Sequence, residues 1–316
     1  MKFTAFDKRF VIFPLIILFI YIFVAAAPLG QDIYFSPVWI RDITPDAAQA
    51  ELEGIEEEKA GDNPQAQAAL FNGKTPKVFM TDSRFGYFTA DGEILRSSPV
   101  VMPVSASSAA WTEYRSDTVR TPVYRPDGSL ITMIEEPGFV HIAEDRLYLF
   151  EPGGSAVKQY GTDGKPMWRY LHTAPITAFH TSKSGAVIGF SDGKLVCLDS
   201  TGRTIFDFYP GGSDYQVILG AGISADGRFA ACVSGLQKQR AVLISIDGNK
   251  YKVVHHRYLT GNLRRQVFVD FDESGRNAVF ECAEGIGFID CERLVSDIIP
   301  QQGTVLASGQ LPYNNI

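Results

Sequence analysis

Short apolar runs separated by turn residues set the pattern of most of the chain. The clearest unit runs from Ile176 to Phe208 and consists of ITAFHT, AVIGFS, KLVCLD and RTIFDF, with turns at Lys183-Ser184-Gly185, Asp192-Gly193 and Ser200-Thr201-Gly202. Runs of this length, rich in β-branched and aromatic residues and bounded by such turns, are typical of strands. The unit therefore predicts a four-stranded antiparallel meander.

The same pattern recurs along the chain. The turns at Asp91-Gly92, Asp127-Gly128 and Asp163-Gly164 are 36 residues apart, and two more four-strand units follow Phe208. A repeat of about 40 residues with four strands per unit is the signature of a β-propeller. Six units can be counted, so we predict an all-β fold with six blades in residues 77–316.

The first and last parts of this pattern are complementary. The first unit, Lys77 to Ser97, has only three strands, and the last apolar segment, Thr304 to Ala307, has no sheet of its own. We expect the C-terminal strand to complete the first blade and close the ring, because closure removes exposed strand edges. Seven blades, with Asn72–Lys77 contributing the extra pairing, are the alternative.

The N-terminal region predicts a membrane anchor. An uncharged, mostly apolar stretch covers residues 10–31, and Lys2, Lys8 and Arg9 precede it. A spanning helix needs roughly 20 apolar residues, and basic flanks stay on the cytoplasmic side. We predict a cytoplasmic tail (residues 1–9), a single-pass signal anchor in the cytoplasmic membrane, and a propeller in the periplasm or extracellular space. A cleavable signal peptide is the alternative, since Val24-Ala25-Ala26 resembles a cleavage site.

The net charge of −7 arises next to this anchor. Nine acidic and two basic residues lie between Gln31 and Asp62, and the rest of the body is close to neutral. A neutral body disfavours nucleic-acid binding. Residues 32–76 are predicted to be an acidic juxtamembrane linker with a short helix beginning at Thr44-Pro45-Asp46. We interpret it as a spacer, with a docking helix as the alternative.

The cysteines and histidines show no metal-ligand spacing. Cys197, Cys232, Cys282 and Cys291 contain no Cys-x-x-Cys pair. Export permits disulfides, so a Cys197–Cys232 pair is conceivable, but buried free thiols are the expected state. Structural or surface roles are expected for the five histidines, His141, His172, His180, His255 and His256.

Two segments carry a family resemblance. Gly193-Lys194-Leu195-Val196-Cys197-Leu198-Asp199 with Gly202–Phe206, and Asp163-Gly164-Lys165-Pro166-Met167-Trp168, resemble the repeat of quinoprotein-type (PQQ-like) and other WD40-like propellers. The resemblance implies that Trp168 and Phe206 pack between neighbouring sheets. Enzymes of the quinoprotein family hold their cofactor with an adjacent-cysteine disulfide and calcium. No Cys-Cys pair exists in this chain, so we expect no cofactor.

The loops predict a binding surface. In a propeller, the fourth-to-first and second-to-third strand loops open on one face, which is the usual binding side. We expect that face to hold the candidate partner-binding residues Tyr209, Asp214, Tyr215, Arg257, Arg264 and Arg265, because Tyr and Arg dominate protein hot spots.

These observations favour a non-enzymatic function. We predict a protein–protein interaction scaffold in a cell-envelope assembly, with protein partners in the membrane or envelope. The alternative is an exported hydrolase or lactonase with a metal in the central channel, for which Asp270 and Asp272 are the candidate carboxylates. The two hypotheses differ in one feature, because only the second expects carboxylates and amides to converge on the channel.

Overall fold

The computed structural model describes residues 69–115, 117–211 and 213–300, together with residues 18, 19 and 43. The chain divides into two compact units, Met1–Asp42 and Ile43–Ile316. Leu18 and Phe19 are helical, and the described residues include no helix long and apolar enough to cross a membrane. The rest of the predicted anchor, the helix start at Thr44 and the segment Thr304–Ala307 lie outside the described residues.

Antiparallel sheets make up the described part of the second unit. Sheet 1 consists of β1 (Lys77–Met80), β2 (Arg84–Phe88) and β3 (Ile94–Pro99). Sheet 2 consists of β4 (Val104–Ala106), β5 (Trp111–Glu113), β6 (Thr121–Tyr124) and β7 (Leu130–Ile134). Sheet 3 consists of β8 (Phe139–Ala143), β9 (Arg146–Phe150), β10 (Ala156–Tyr160) and β11 (Pro166–Leu171).

Sheets 4 to 6 follow in the same order. Sheet 4 consists of β12 (Ile176–Ser182), β13 (Gly185–Phe190), β14 (Leu195–Asp199) and β15 (Thr204–Phe208). Sheet 5 consists of β16 (Ile218–Ile223), β17 (Phe229–Ser234), β18 (Arg240–Asp247) and β19 (Lys250–Tyr258). Sheet 6 consists of β20 (Val269–Phe271), β21 (Asn277–Cys282), β22 (Gly285–Asp290) and β23 (Val295–Pro300). The all-β prediction with six meander sheets is confirmed, and the short first unit is the three-stranded sheet.

Among the described residues, the strand that sheet 1 does not have is its first one. Asp127-Gly128 and Asp163-Gly164 each join the third strand of a sheet to its fourth, and the equivalent Asp91-Gly92 turn joins β2 to β3. Sheet 1 therefore holds a second, third and fourth strand. Residues 72–76 form no strand in the structure, so they do not supply the pairing that the seven-blade alternative required.

The repeated Asp-Gly turns have a common physical basis. At Asp163-Gly164 the Asp163 carboxylate accepts a hydrogen bond from the Lys165 amide at 3.1 Å, and Gly164 adopts φ of 75°. Positive φ is inexpensive only for glycine, and aspartate caps its own turn. These two requirements explain why the dipeptide marks the hairpins so regularly.

Buried apolar clusters join successive sheets. Each of the five junctions from sheets 1 and 2 to sheets 5 and 6 has one such cluster. Representative members, in the order of the junctions, are Phe85 and Trp111, Val123 and Leu149, Tyr148 and Ile188, Val187 and Val242, and Leu243 and Phe280. The resemblance placed Trp168 and Phe206 between sheets, and both pack there, in the third and fourth of these clusters.

The junction between sheets 6 and 1 differs from the other five. No buried apolar cluster formed by described residues joins these two sheets. Strand alternation puts half-buried Val279, Ile286 and Phe288 on the side of sheet 6 that faces away from sheet 5. The second strand of sheet 1, β1, is also half exposed, whereas the equivalent β13 is buried throughout. The described residues thus leave apolar surface on both sides of this junction.

Candidate partner-binding face and central channel

The first strand of each four-stranded sheet lies innermost. Strands β4 and β8, β12 and β16, and β16 and β20 contact each other across sheet boundaries. The loops leading into these strands therefore lie on one side, which we call the loop face. It includes residues 209–217 before β16, residues 259–268 before β20, and the β13–β14 turn at residues 191–194.

Two tyrosines project from the first of these loops. Tyr209 and Tyr215 are 51% and 58% exposed, and Asp214 is also exposed. The Tyr209 hydroxyl lies 3.5 Å from Asp192 Oδ2, and His172 Nε2 hydrogen-bonds the same oxygen at 2.8 Å. Burial disfavours the Asp192 anion, but the hydrogen bonds from His172 and the Lys194 amide outweigh it and lower the pKa of Asp192. The exposed Tyr209 ring thus lies beside a fixed negative charge.

The three predicted arginines occupy different environments. Arg264 is exposed on the loop before β20. Arg257 belongs to strand β19, and its Nη1 donates to the Ser296 carbonyl of β23 at 2.9 Å. Arg257 therefore links the outer strands of sheets 5 and 6 and does not extend into a loop. The structure brings Arg264 and Arg265 together on one loop and leaves Arg257 apart from them.

Arg265 is held by a buried carboxylate. Its Nη1 donates to Glu281 Oε2 at 2.9 Å and its Nη2 to Glu281 Oε1 at 2.5 Å. Glu281 is only 2% exposed, and these hydrogen bonds raise the pKa of Arg265. Paired, bidentate hydrogen bonds of this kind are among the strongest in proteins. Arg265 is thus already engaged within the fold.

The central channel contains two adjoining cavities. One, of about 540 Å³, is lined by Phe139, Phe150 and Phe179, by His141, and by Gln266 from the loop before β20. The second, of about 360 Å³, shares Phe179 and Gln266 and is bounded by residues of β12, β16 and the β20 region. The cavities therefore lie among the inner strands and open toward the loop face.

Glycines in β16 allow the inner strands to approach closely. A Cβ at Gly220 would lie 2.5 Å from the Val267 carbonyl oxygen. His180 of sheet 4 reaches across sheet 5 to sheet 6, where its Nε2 is 3.1 Å from Asp270 Oδ1. The Ile223 amide donates to His180 Nδ1 at 3.2 Å. An N–H donor at Nδ1 requires that nitrogen to be unprotonated, so the proton is on Nε2 and points at Asp270.

His141 is the other histidine of the channel. It packs against Phe139, Phe150 and Phe179, with ring centroids 5.9 to 6.3 Å apart. Burial lowers the pKa of His141 to about 4, and nearby His180 acts in the same direction. His141 is therefore neutral at physiological pH.

The low pKa of His141 predicts a pH-dependent stability. The unfolded chain binds the proton near pH 6.5 and the folded chain only near pH 4, so stability is lost as the pH falls through this window. The loss is about 2–3 kcal/mol at pH 4.5, since one pKa unit corresponds to about 1.4 kcal/mol. Urea unfolding at pH 7.5 and 4.5 should show that His141→Phe lacks this loss, whereas His256→Phe, at an exposed strand position, retains it. Equal pH dependence in all three proteins would contradict the assignment.

Two carboxylates, Glu151 and Glu281, line the channel cavities, which the scaffold hypothesis did not expect. The candidate carboxylates Asp270 and Asp272 are not among the described residues that line them. Asp270 is engaged by His180 and by the Phe271 amide at 2.7 Å, and Glu281 by Arg265. Asp272 accepts hydrogen bonds from the Arg276 and Asn277 amides in its turn; burial opposes them, but they prevail and lower the pKa of Asp272. In the described part of the chain, no group of three or more His, Cys, Asp or Glu residues could hold a metal ion.

The four cysteines are buried free thiols in the structure. Burial raises the pKa of Cys197 and of Cys232 to about 12. A thiol protonated at neutral pH is a poor nucleophile and a poor metal ligand. These residues act as small apolar side chains in the inter-sheet clusters.

The channel residues His141, His180 and Glu281 were not selected from the sequence. Their neighbours in the chain are ordinary strand residues, and they come together only through contacts between sheets. One signal was present: Glu281 is a charged residue in the apolar strand NAVFEC, and such a residue is rarely buried without a partner.

Comparison with known proteins agrees with the architecture. The six meander sheets with innermost first strands define the β-propeller class, and a family described as beta-propeller protein matches residues 1–316. The chain belongs to this family. A relative from Treponema pallidum (strain Nichols), described as an uncharacterized protein, is 47% identical over 303 residues, which cover 96% of this chain and 78% of the relative.

Solved structures show a similar fold. Hsv2 from Kluyveromyces lactis has a TM-score of 0.53 at 12% identity, covering 73% of this chain and 83% of that one. Hsv2 from Kluyveromyces marxianus has a TM-score of 0.52 at 15% identity, covering 73% and 81%. At such low sequence identity, the structural similarity shows a shared fold only.

Proposed function

We propose that this protein is a membrane-anchored, extracytoplasmic β-propeller that binds a protein partner in the cell envelope through its loop face. The exposed pair Tyr209 and Tyr215 carries the proposal, because both rings lie on one loop of that face. Aromatic side chains supply large contact area at low entropy cost and are enriched in interface hot spots. Two exposed tyrosines on one loop are therefore suited to a partner surface.

Charged residues around the two tyrosines would form the polar rim of this interface. Asp192 lies below Tyr209, Asp214 is exposed next to Tyr215, and Arg264 is exposed on the neighbouring loop. Interfaces typically combine such an aromatic centre with charged residues at the edge. We assign Tyr209, Tyr215, Asp214 and Arg264 to direct contact and Arg265 to the support of the loop face. Arg257 instead links the outer strands of sheets 5 and 6.

The proposal also includes a single-pass membrane anchor and a function that is not enzymatic. The uncharged residues 10–31, which follow Lys2, Lys8 and Arg9, support single-pass insertion with the propeller outside. The bidentate ion pair between Arg265 and Glu281 supports a binding role, because this carboxylate already has a charged partner within the fold. The similarity of Gly193–Asp199 to PQQ-like repeats suggests the type of blade, and we do not propose a cofactor from it.

A membrane-impermeant crosslinker added to spheroplasts that express the full chain tests location and partner together. We expect a discrete crosslinked species, because the propeller and its partner both face the outside. The double variant Tyr209→Ser/Tyr215→Ser should reduce this species at least fivefold. The matched control is Leu130→Ser/Met167→Ser, which removes two exposed apolar side chains at third-to-fourth strand turns, on the side opposite the loop face.

The control should crosslink as the unmodified protein does. A species that forms only after the membrane is permeabilised would overturn the location. Equal losses in both double variants, or no loss in either, would overturn the role of the loop face.

A further inference from the structure

The channel cavities are distinct from the tyrosine loop. Three phenylalanines form one wall of the larger cavity: Phe139 lies 5.5 Å from Phe150, and Phe150 lies 5.0 Å from Phe179, measured between ring centroids. Its volume of about 540 Å³ falls within the range of about 300–1,000 Å³ that is usual for small-molecule sites. An isolated side chain of a partner would not fill it.

Every charged group at these cavities already has a partner in the fold. Arg169 donates two hydrogen bonds of 2.7 Å to Glu151 and lowers the pKa of that carboxyl to about 2. Arg265 and Glu281 neutralise each other. Asp270, which His180 hydrogen-bonds, is not among the described residues that line the two cavities. A charged ligand would lose its hydration without finding an opposite charge, which is costly.

Two polar groups stay available. The His141 ring packs against three phenylalanine rings, and its nitrogens make no hydrogen bond to any described residue. Gln266 is exposed at the opening and lines both cavities. A neutral imidazole offers one donor and one acceptor, and an amide offers both as well. The site can therefore orient a ligand that carries one or two hydrogen-bonding groups.

We propose that the central channel binds a small uncharged aromatic molecule, which stacks on the Phe139–Phe150–Phe179 wall and hydrogen-bonds through one polar group to His141. Gln266 lies at the opening and closes over the ligand's edge. None of the proposed contact residues Tyr209, Asp214, Tyr215 and Arg264 lines either cavity, so ligand binding can be tested without the proposed protein partner.

The test uses p-cresol as the probe, with phenylacetate and benzylamine as charged comparators of similar size. Saturation-transfer NMR is recorded on the full chain in lipid nanodiscs, with empty nanodiscs as the baseline. Saturable binding of p-cresol is expected, at least fivefold tighter than that of either charged compound. Gln266→Trp should block the opening and weaken p-cresol binding at least tenfold. Asn262→Trp, at an exposed position on the same loop, should leave it unchanged.

A second variant tests the hydrogen bond and does not depend on the tryptophan being tolerated. His141→Phe should weaken p-cresol binding several-fold and leave toluene binding unchanged, because toluene has no hydroxyl. The proposal is overturned if p-cresol does not bind saturably, if a charged compound binds more tightly, or if the two tryptophan variants behave alike. Equal effects of His141→Phe on p-cresol and toluene would also overturn the assignment of His141.

Discussion

A chain shortened to residues 1–302 is expected to aggregate or misfold, whereas the full chain folds. The prediction follows from the junction between sheets 6 and 1. In the described part of the chain, sheet 1 has no first strand, and half-buried apolar residues such as Val279 and Phe288 face this junction. The predicted strand Thr304–Ala307 would supply the missing pairing and the missing apolar cover.

Connection lengths in the chain are compatible with this strand. Four residues join a fourth strand to the next first strand at residues 100–103, 135–138 and 172–175. Three residues separate β23 from Thr304, which is a similar reach. The chain can therefore pass from the outer strand of sheet 6 to the inner edge of sheet 1.

The expected effect is large relative to whole-domain stability. Each buried Val or Leu that is lost costs about 2 kcal/mol or more, and two unpaired strand edges would remain. Domains are stable by only about 5–15 kcal/mol. The measurement compares soluble yield and thermal unfolding of residues 1–302 with those of the full chain. A variant with Val305→Ser and Leu306→Ser keeps the chain length and should be destabilised too. Unchanged melting and yield in both would refute closure by this segment.

Replacing Arg265 by methionine is expected to destabilise the fold by about 3–5 kcal/mol. Arg265 makes two hydrogen bonds to Glu281, whose carboxylate is 2% exposed. Removing Arg265 takes a bidentate, charged hydrogen-bond donor from a buried carboxylate, which is far more costly than losing a surface ion pair. Urea unfolding at pH 7.5 measures the change.

The adjacent residue provides a matched control. Arg264→Met removes the same charge from the same loop at an exposed position, and should change stability by less than about 0.5 kcal/mol. Replacing the pair together, Arg265→Met with Glu281→Leu, should recover most of the loss, because no buried charge remains. Equal destabilisation by the two single variants would show that the Arg265–Glu281 pair does not hold the loop.

The sequence identified the strands well because their signal is local. Alternating apolar residues and Asp-Gly turns determine where a hairpin reverses, and Gly164 with its positive φ illustrates the requirement. The three-stranded first sheet followed from the same repeat, whereas the packing of Trp168 and Phe206 followed from the family resemblance. Among the predicted site residues, exposure of Tyr209 and Tyr215 was consistent with a loop that contains Pro210 and Gly211.

The channel and the arginine environments could not be predicted in this way. His180 reaches Asp270 only because Gly220 and its small neighbours let the inner strands approach, and Arg265 meets Glu281 only through the packing of a loop on β21. Local propensity and turn chemistry therefore determined the repeat, the number of sheets and the loops of this protein. The tertiary structure alone decided which charges are neutralised and what the channel can accept, because burial and pairing depend on residues far apart in the chain.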